Sequence, residues 1–144
     1  EELQKNMQYN VGIIRTKKEI ENGIKEIDVL KNKFKDVKAP GSSQFNPGWH
    51  EALALRNLLI SAESVSKSAL LREESRGAHT REDFPSEREE WIKYNIVSKK
   101  GKDGKMETTK ILRTNPDEEL KRIAHSELND LEKEVKIDHN KLKV

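Results

Sequence analysis

No cysteine occurs anywhere in this sequence. That removes disulfides, thiolate metal sites and a cysteine nucleophile together, and it fits a reducing compartment. Long hydrophobic runs are missing too. No apolar stretch approaches the roughly 20 residues needed to cross a bilayer, so direct membrane insertion is not expected. Aromatic residues are sparse, with two tryptophans, two tyrosines and three phenylalanines. Neither sign of charge dominates: 28 basic residues against 26 acidic ones leave a formal net charge of +2. The pI near 8.7 is therefore a small surplus, and no nucleic-acid partner is expected from interleaved charges and so few rings. The seven glycines are too dispersed for a Gly-x-Gly-x-x-Gly turn or a P-loop, so this chain alone cannot cradle a nucleotide phosphate. The four histidines, His50, His79, His125 and His139, form no metal-spaced pair. Without a His-Glu-x-x-His motif, no metal site is expected.

What the sequence does contain is charge laid along helical stripes. Hydrophobic residues make up 33% of the 144 and charged residues 38%. That balance favours long helices with one apolar face over a sheet buried on both sides. The length suits one domain with a tail. The start at Glu1-Glu2-Leu3 falls in mid-pattern without a methionine, which raises the expectation of a domain excised from a longer protein.

Taken in order, Leu3, Met7 and Val11 stand four apart and predict a short helix, with Gly12 as its left-handed terminator. Thr16-Lys17-Lys18-Glu19 is a capping box. The helix it opens carries Ile20, Ile24, Ile27, Leu30, Phe34 and Val37 on one stripe. Gly23 weakens that helix by about 1 kcal/mol with no visible reason in the sequence. Ala39-Pro40-Gly41-Ser42-Ser43 is a breaker cluster. Asn46 and Pro47 then open a helix predicted to span residues 48 to 74, roughly 40 Å at 1.5 Å per residue. Leu53, Ala54, Leu55, Leu58, Leu59 and Ile60 encircle its first half, which places it at the centre of a bundle. Its later serines read as close helix packing rather than chemistry.

Beyond residue 85, Ser86-Glu87-Arg88-Glu89 is read as the cap of a single turn carrying Trp91. Ile92, Tyr94 and Ile96 alternate with polar residues and predict a strand. Asp103-Gly104 marks a hairpin turn, with a return strand over 106–113. Asn115-Pro116-Asp117-Glu118 starts a last helix whose stripe is Leu120, Ala124, Leu128, Leu131 and Val135. The residues from Ile137 should fray. The expected architecture is mainly α: a three-helix bundle in a spectrin-like up-down arrangement with an appended β-hairpin and C-terminal helix. The expected divisions are 1–85 (the bundle and a loop), 86–114 (the turn and hairpin) and 115–144 (the helix and tail).

Between the longest helix and the hairpin lies the stretch Ser75-Arg76-Gly77-Ala78-His79-Thr80-Arg81-Glu82-Asp83-Phe84-Pro85. Arg76, His79 and Arg81 form its chemical content. Guanidinium groups bind carboxylates or phosphates in bidentate fashion, and a histidine beside them can move a proton. The competing reading has them brace an irregular loop or pair across an interface, where arginine is enriched. No nucleophile, metal cluster or cofactor loop lies nearby, so docking is expected rather than chemistry.

The same stretch also carries a resemblance. Leu3-Gln4-Lys5-Asn6-Met7, Val11-Gly12-Ile13-Ile14-Arg15, Arg56-Asn57-Leu58-Leu59, Ala62-Glu63 and Ala69 contribute to it. So does Glu74 through Pro85, followed by Arg88 and Trp91. Together, over roughly residues 1 to 113, they resemble the C-terminal domain of the flavoprotein subunit of succinate dehydrogenase and fumarate reductase, a family that also includes L-aspartate oxidase. The resemblance implies a full-length parent that binds FAD and interconverts succinate and fumarate. In that family a hydride passes between the flavin and the dicarboxylate while an arginine moves the proton. The family's FAD-binding and capping domains, which hold those catalytic groups, have no counterpart here. The resemblance therefore implies no catalytic, cofactor-binding or metal residue in this chain and no FAD bound by it alone. It implies two partners, the parent's own FAD-binding domain and an iron-sulfur subunit. It also implies a cytoplasmic location, peripheral on the inner face of the cytoplasmic membrane. Arg76, His79, Arg81, Asp83 and Trp91 become candidates for an interdomain surface. Ala78 after Gly77 is closer to succinate dehydrogenase than to L-aspartate oxidase, which stays as the alternative beside an autonomous helical adaptor.

Overall fold

The structure, a computed structural model, describes residues 1–42 and 44–134. Its elements run α1 (Glu2–Asn10), β1 (Ile14–Arg15), α2 (Lys17–Phe34), α3 (Pro47–Leu71), β2 (Thr80–Arg81), α4 (Glu89–Ile92), β3 (Tyr94–Lys100), β4 (Met106–Leu112), α5 (Glu118–His125) and α6 (Leu128–Glu134). The fold is mainly α with one two-stranded hairpin, as the stripes predict. Two compact units are present, Glu1–Leu112 and Arg113–Val144. The predicted extension of the last stripe to Val135 and the fraying from Ile137 lie outside the described residues.

In the larger unit α2 packs between α1 and α3. Thr16 opens it with the expected capping box, accepting from the Glu19 amide while the Glu19 carboxylate accepts from the Thr16 amide. Ile20 and Ile27 are fully buried. Lys33 near the end of α2 pairs with Glu2 at the start of α1 at 2.7 Å, so these two helices run antiparallel. The start of α2 lies beside the end of α3, where Lys17 and Glu21 border the same hollow as Leu70 and Leu71. Farther along, Glu63 of α3 is buried between Lys31 and Lys67. Burial alone would push its carboxyl up, but the two ammonium groups outweigh that and hold it below the ordinary carboxylate value.

Both glycines of this region act through contact. The Gly23 carbonyl accepts from the buried Asn6 side chain at 2.9 Å. A Cβ on Gly23 would stand 2.8 Å from Val11 Cγ2, so the glycine marks the crossing of α1 over α2. Gly12 is not the left-handed terminator expected: α1 closes at Val11, and positive φ occurs at Gly41, Gly77 and Gly104 among the glycines. A side chain at Gly12 would meet the Gln8 carbonyl at 2.6 Å, which is what requires a glycine there.

Asn46 and Pro47 start α3 as predicted, the Asn46 side chain accepting from the Trp49 amide at 3.2 Å. The helix stops at Leu71, three residues short of expectation, because Arg72 is already extended. Its first half is not enclosed: Leu58 is 56% exposed and Ile60 48%. Within this unit α3 packs mainly on α2 and the hairpin, with Met7 of α1 near Ser66 and Arg81 at its C-terminal end, while Leu58, Ile60 and Val65 stay about half exposed.

The hairpin pairs Tyr94 with Leu112 through Lys100 with Met106, and Gly104 supplies positive φ in its turn. Lys67 ties it to α3 by donating to the Met106 carbonyl at 2.9 Å. Ile92 belongs to α4 and not to the strand. The cap expected from Ser86 does not form either, since α4 begins at Glu89 with no side-chain cap from its own N-terminus. In the smaller unit the single predicted helix is two. Ser126 is extended and donates its hydroxyl to the Arg122 carbonyl, ending α5 before α6 starts.

Candidate functional site

The 72–88 segment is built on Glu74, which is fully buried. Its Oε1 accepts from Arg72 and Arg76, and its Oε2 accepts from Arg76 Nη2 at 3.1 Å. The same oxygen accepts from the Arg88 amide at 3.0 Å, which supplies the cap that Ser86 does not. Burial by itself would raise the Glu74 carboxyl, yet hydrogen bonds from Arg76, the Arg88 amide and Arg72 outweigh it and keep the group below the ordinary carboxylate value. Arg76 then reaches Glu87 at 2.9 Å.

From Glu74 the chain folds back on itself. Arg76 and His79 exchange backbone bonds of 2.8 and 3.1 Å across Gly77-Ala78, and Gly77 takes the φ of +57° that this tight turn needs. Ser75 Oγ accepts from the Arg81 amide at 2.8 Å and donates to the Phe84 carbonyl at 2.8 Å. The returning chain forms a short parallel pair unforeseen in the sequence. Ile14 stands opposite Thr80 and Arg15 opposite Arg81, joined by Thr80 N to Ile13 O and Glu82 N to Arg15 O.

Arg81 is fully buried. Its Nη1 donates to the carbonyls of Ala69, Leu70 and Arg72, closing the C-terminal end of α3. Nε and Nη2 grip the Asp83 carboxylate in a fork at 2.8 and 2.6 Å. Asp83 Oδ2 also accepts from the Lys17 amide at 3.2 Å, at the start of α2. The bond from Arg81 is the main reason the Asp83 carboxyl sits below its ordinary value.

His79 lies between two arginines. Arg15 Nη2 approaches His79 Nδ1 at 2.6 Å, and His79 Nε2 lies 3.2 Å from the Arg72 carbonyl. A guanidinium only donates, so Nδ1 is the acceptor and Nε2 carries the proton toward the carbonyl. The ring is therefore neutral and both nitrogens are engaged. Burial lowers its pKa first, and the charges of Arg15, Arg72 and Arg81 lower it further. Arg15 meanwhile donates to the Val11 and Gly12 carbonyls beyond α1. Trp91 is buried as well, with Arg72 over its ring at 5.4 Å and Lys110 at 5.0 Å.

The five residues singled out in the sequence thus fall into three linked groups: Arg76 on Glu74, Arg81 with Asp83, and His79 against Arg15. Trp91 joins through Arg72. Glu74, Arg72, Ser75 and Arg15 were missed. The spacing Arg72-Glu73-Glu74-Ser75-Arg76, a carboxylate two residues from an arginine on each side, was a legible signal for the first two. Arg15 has none, being 64 residues from its histidine. Among the described residues no cluster of three or more His, Asp or Glu is arranged to hold a metal. What this arrangement does chemically is to join three helices by charge-assisted hydrogen bonds, with no histidine nitrogen left over to move a proton.

Comparison with known proteins extends these observations. The sequence profile described as "Fumarate reductase flavoprotein C-term" matches residues 1–142, past the point where the motif resemblance ends. The chain is 38% identical over 98 residues to the succinate dehydrogenase flavoprotein subunit of Rickettsia felis, covering 67% of this chain and 16% of that one. It is 33% identical over 100 residues to the fumarate reductase flavoprotein subunit of Helicobacter pylori (strain J99), covering 68% and 14%. The solved Mycobacterium smegmatis Sdh1 complex in the apo form superposes with a TM-score of 0.77 at 37% identity, over 90% of this chain and 22% of that one. The chain thus spans less than a fifth of the length of these two curated relatives.

Proposed function

Since the chain belongs to the fumarate reductase flavoprotein C-terminal family, we propose that it is the helical C-terminal domain of an FAD-dependent oxidoreductase that interconverts succinate and fumarate. In this reading it braces the flavin-binding part of the subunit and helps present it to an iron-sulfur partner. Catalysis belongs to groups outside this chain, which alone binds no flavin and turns nothing over. The whole enzyme sits peripherally at the inner face of the cytoplasmic membrane, held there by its partners. No helix among the described residues is long and apolar enough to cross a membrane.

The observation that carries this reading is the closed state of the arginine-histidine loop. Arg81 is fully buried and Glu74 is saturated with donors. Such a loop is a joint between helices, which suits a supporting domain and leaves nothing poised for hydride or proton transfer. L-aspartate oxidase remains the alternative within the family, and no feature of the site favours it.

The test is spectroscopic. The purified chain is mixed with FAD and desalted, and the full-length subunit is treated in the same way. The full-length subunit is expected to keep a flavin spectrum and to oxidise succinate with an artificial electron acceptor. This chain is expected to keep none, and stoichiometric flavin on it would defeat the reading.

A further inference from the structure

Within the larger unit, one side of α3 carries apolar side chains that stay half exposed. Ala54, Leu58, Ser61, Val65, Ser68 and Arg72 recur at alternating intervals of four and three residues, which stacks them along a single line of the helix. Leu59, Ala62 and Ser66 on one flank are buried. Lys67 on the other flank reaches the hairpin at Met106. Between the two, Val65 is 51% exposed and Leu58 more so, while Ala54 and Ser61 are open to solvent. The alternation of small and large side chains leaves pits at Ala54, Ser61 and Ser68 between the knobs of Leu58 and Val65. That relief accepts the ridge of another helix, over roughly 27 Å of length. Of the Arg56-Asn57-Leu58-Leu59 stretch, the core uses Leu59 and leaves Leu58 outside.

The row ends in a cationic notch. A hollow of about 420 Å³ opens beside Ser68, with Arg15, Arg72 and His79 on its wall and Ile96 of β3 facing them. Among the described residues no carboxylate lines it. His79 is the neutral acceptor of Arg15 there, so it cancels neither guanidinium charge. Arg72 uses Nη1 on Glu74. Arg15 uses Nη1 on the Val11 and Gly12 carbonyls and Nη2 on His79, while its Nε–H is buried without a hydrogen-bond partner among the described residues. Arg72 is already paired with Glu74, so the positive charge left without a carboxylate at the notch, among the described residues, is that of Arg15, and an apolar track leads up to it.

We propose that the Ala54–Arg72 row is the seat of an apolar helix bearing a carboxylate, and that this carboxylate enters the notch between Arg15 and Arg72. The occupant is a helix of the flavin-binding part of the same subunit, an identification that rests on the function proposed above. A free phosphate or dicarboxylate would satisfy the guanidinium groups but would leave Leu58 and Val65 bare, so the apolar track selects a protein segment.

Two experiments test this. In the chain alone, Ser68→Glu puts a carboxylate into the notch. Its melting temperature should exceed that of Ser68→Gln by about 3 °C, with Ser68→Lys below both. Equal values for Glu and Gln would overturn the carboxylate assignment. In the full-length subunit, carbene footprinting should label Leu58 and Val65 at least fivefold less than in this chain alone, with Val29 on the outer face of α2 labelled equally in both. If the full-length subunit holds flavin yet labels Leu58 and Val65 as heavily as the chain alone, the docking face is wrong and the function stands. If it holds no flavin, the function fails first. Protection of Leu58 in the chain alone, with a dimer by sedimentation, would make a second copy the occupant and overturn the assignment. So would a notch that binds inorganic phosphate or succinate equally well in wild type and Leu58→Asp, with no footprint at Leu58 in the full-length subunit.

Discussion

The two ends of α3 are made on opposite terms. At its C-terminal end every carbonyl that Arg81 can reach is taken, and the carboxylates of Glu74 and Asp83 are matched to arginines. Toward its N-terminal end Leu53, Leu58 and Ile60 carry no polar group to satisfy and are each about half exposed. At the first end the acceptors are filled within this chain, and what is left over is the positive charge of Arg15 at the notch. The second is an unfinished core, whose apolar surface is worth stability only when something covers it. A buried polar network tolerates no missing partner, whereas a bare apolar face loses little when altered.

The sharpest way to break that contrast is Arg81→Ala. It strands three carbonyls at the end of α3 and leaves Asp83 without its fork, and removing one partner of a buried pair costs about 3–5 kcal/mol. Urea denaturation of the chain should show that loss, while Leu58→Ser on the open face should stay within about 0.5 kcal/mol. Comparable losses from the two would erase the distinction between the ends. Glu74→Gln comes next. It keeps the shape but removes the charge that Arg72, Arg76 and the Arg88 amide converge on, at about 2 kcal/mol, and faster exchange of the Arg88 amide should accompany it.

Gly23→Ala probes the crossing of α1 and α2, away from both ends of α3. The methyl improves helix propensity by about 1 kcal/mol, but it meets Val11 Cγ2 at 2.8 Å and Asn10 Cβ at 3.1 Å. Overpacking against a stiff, buried valine should prevail, for a net loss of about 1 kcal/mol in the same denaturation assay.

The smallest effect is a pH dependence. His79 is held neutral, with its folded pKa below the ordinary 6.5. As pH falls, the unfolded chain therefore takes up this proton first, and stability drops with it. The contribution is whole above about pH 6.5 and is lost as pH falls through the folded value. Glu74 and Asp83, also lowered, add their losses only below the ordinary carboxylate values of 4.5 and 3.8. Between pH 7 and 5 the slope should flatten in His79→Gln, and an unchanged slope would show that the ring is not pinned by Arg15.

Local rules were legible where neighbours in sequence suffice. The Thr16 and Asn46 caps, the stripe of α2 and the turn at Gly104 needed only residues within a few positions of each other. The Arg76, His79 and Arg81 stretch announced itself by composition, but the partners that define it did not. Ser86 looked like a cap for α4, and the structure gives that place to Glu74, which lies 14 residues upstream of the amide it holds. The last helix broke at Ser126 because a serine hydroxyl competing for a backbone carbonyl is invisible in an apolar stripe.

By itself, then, the sequence determined the mainly helical class, most helix starts, the hairpin and the family, since each depends on short-range backbone chemistry or on a contiguous motif. Only the tertiary structure decided that Gly23 is a helix crossing, that Arg15 fixes the tautomer of His79, and that α3 has a sealed end and an open side. Those facts depend on groups brought together across tens of residues, and a one-dimensional pattern does not encode which of two apolar faces will find a neighbour.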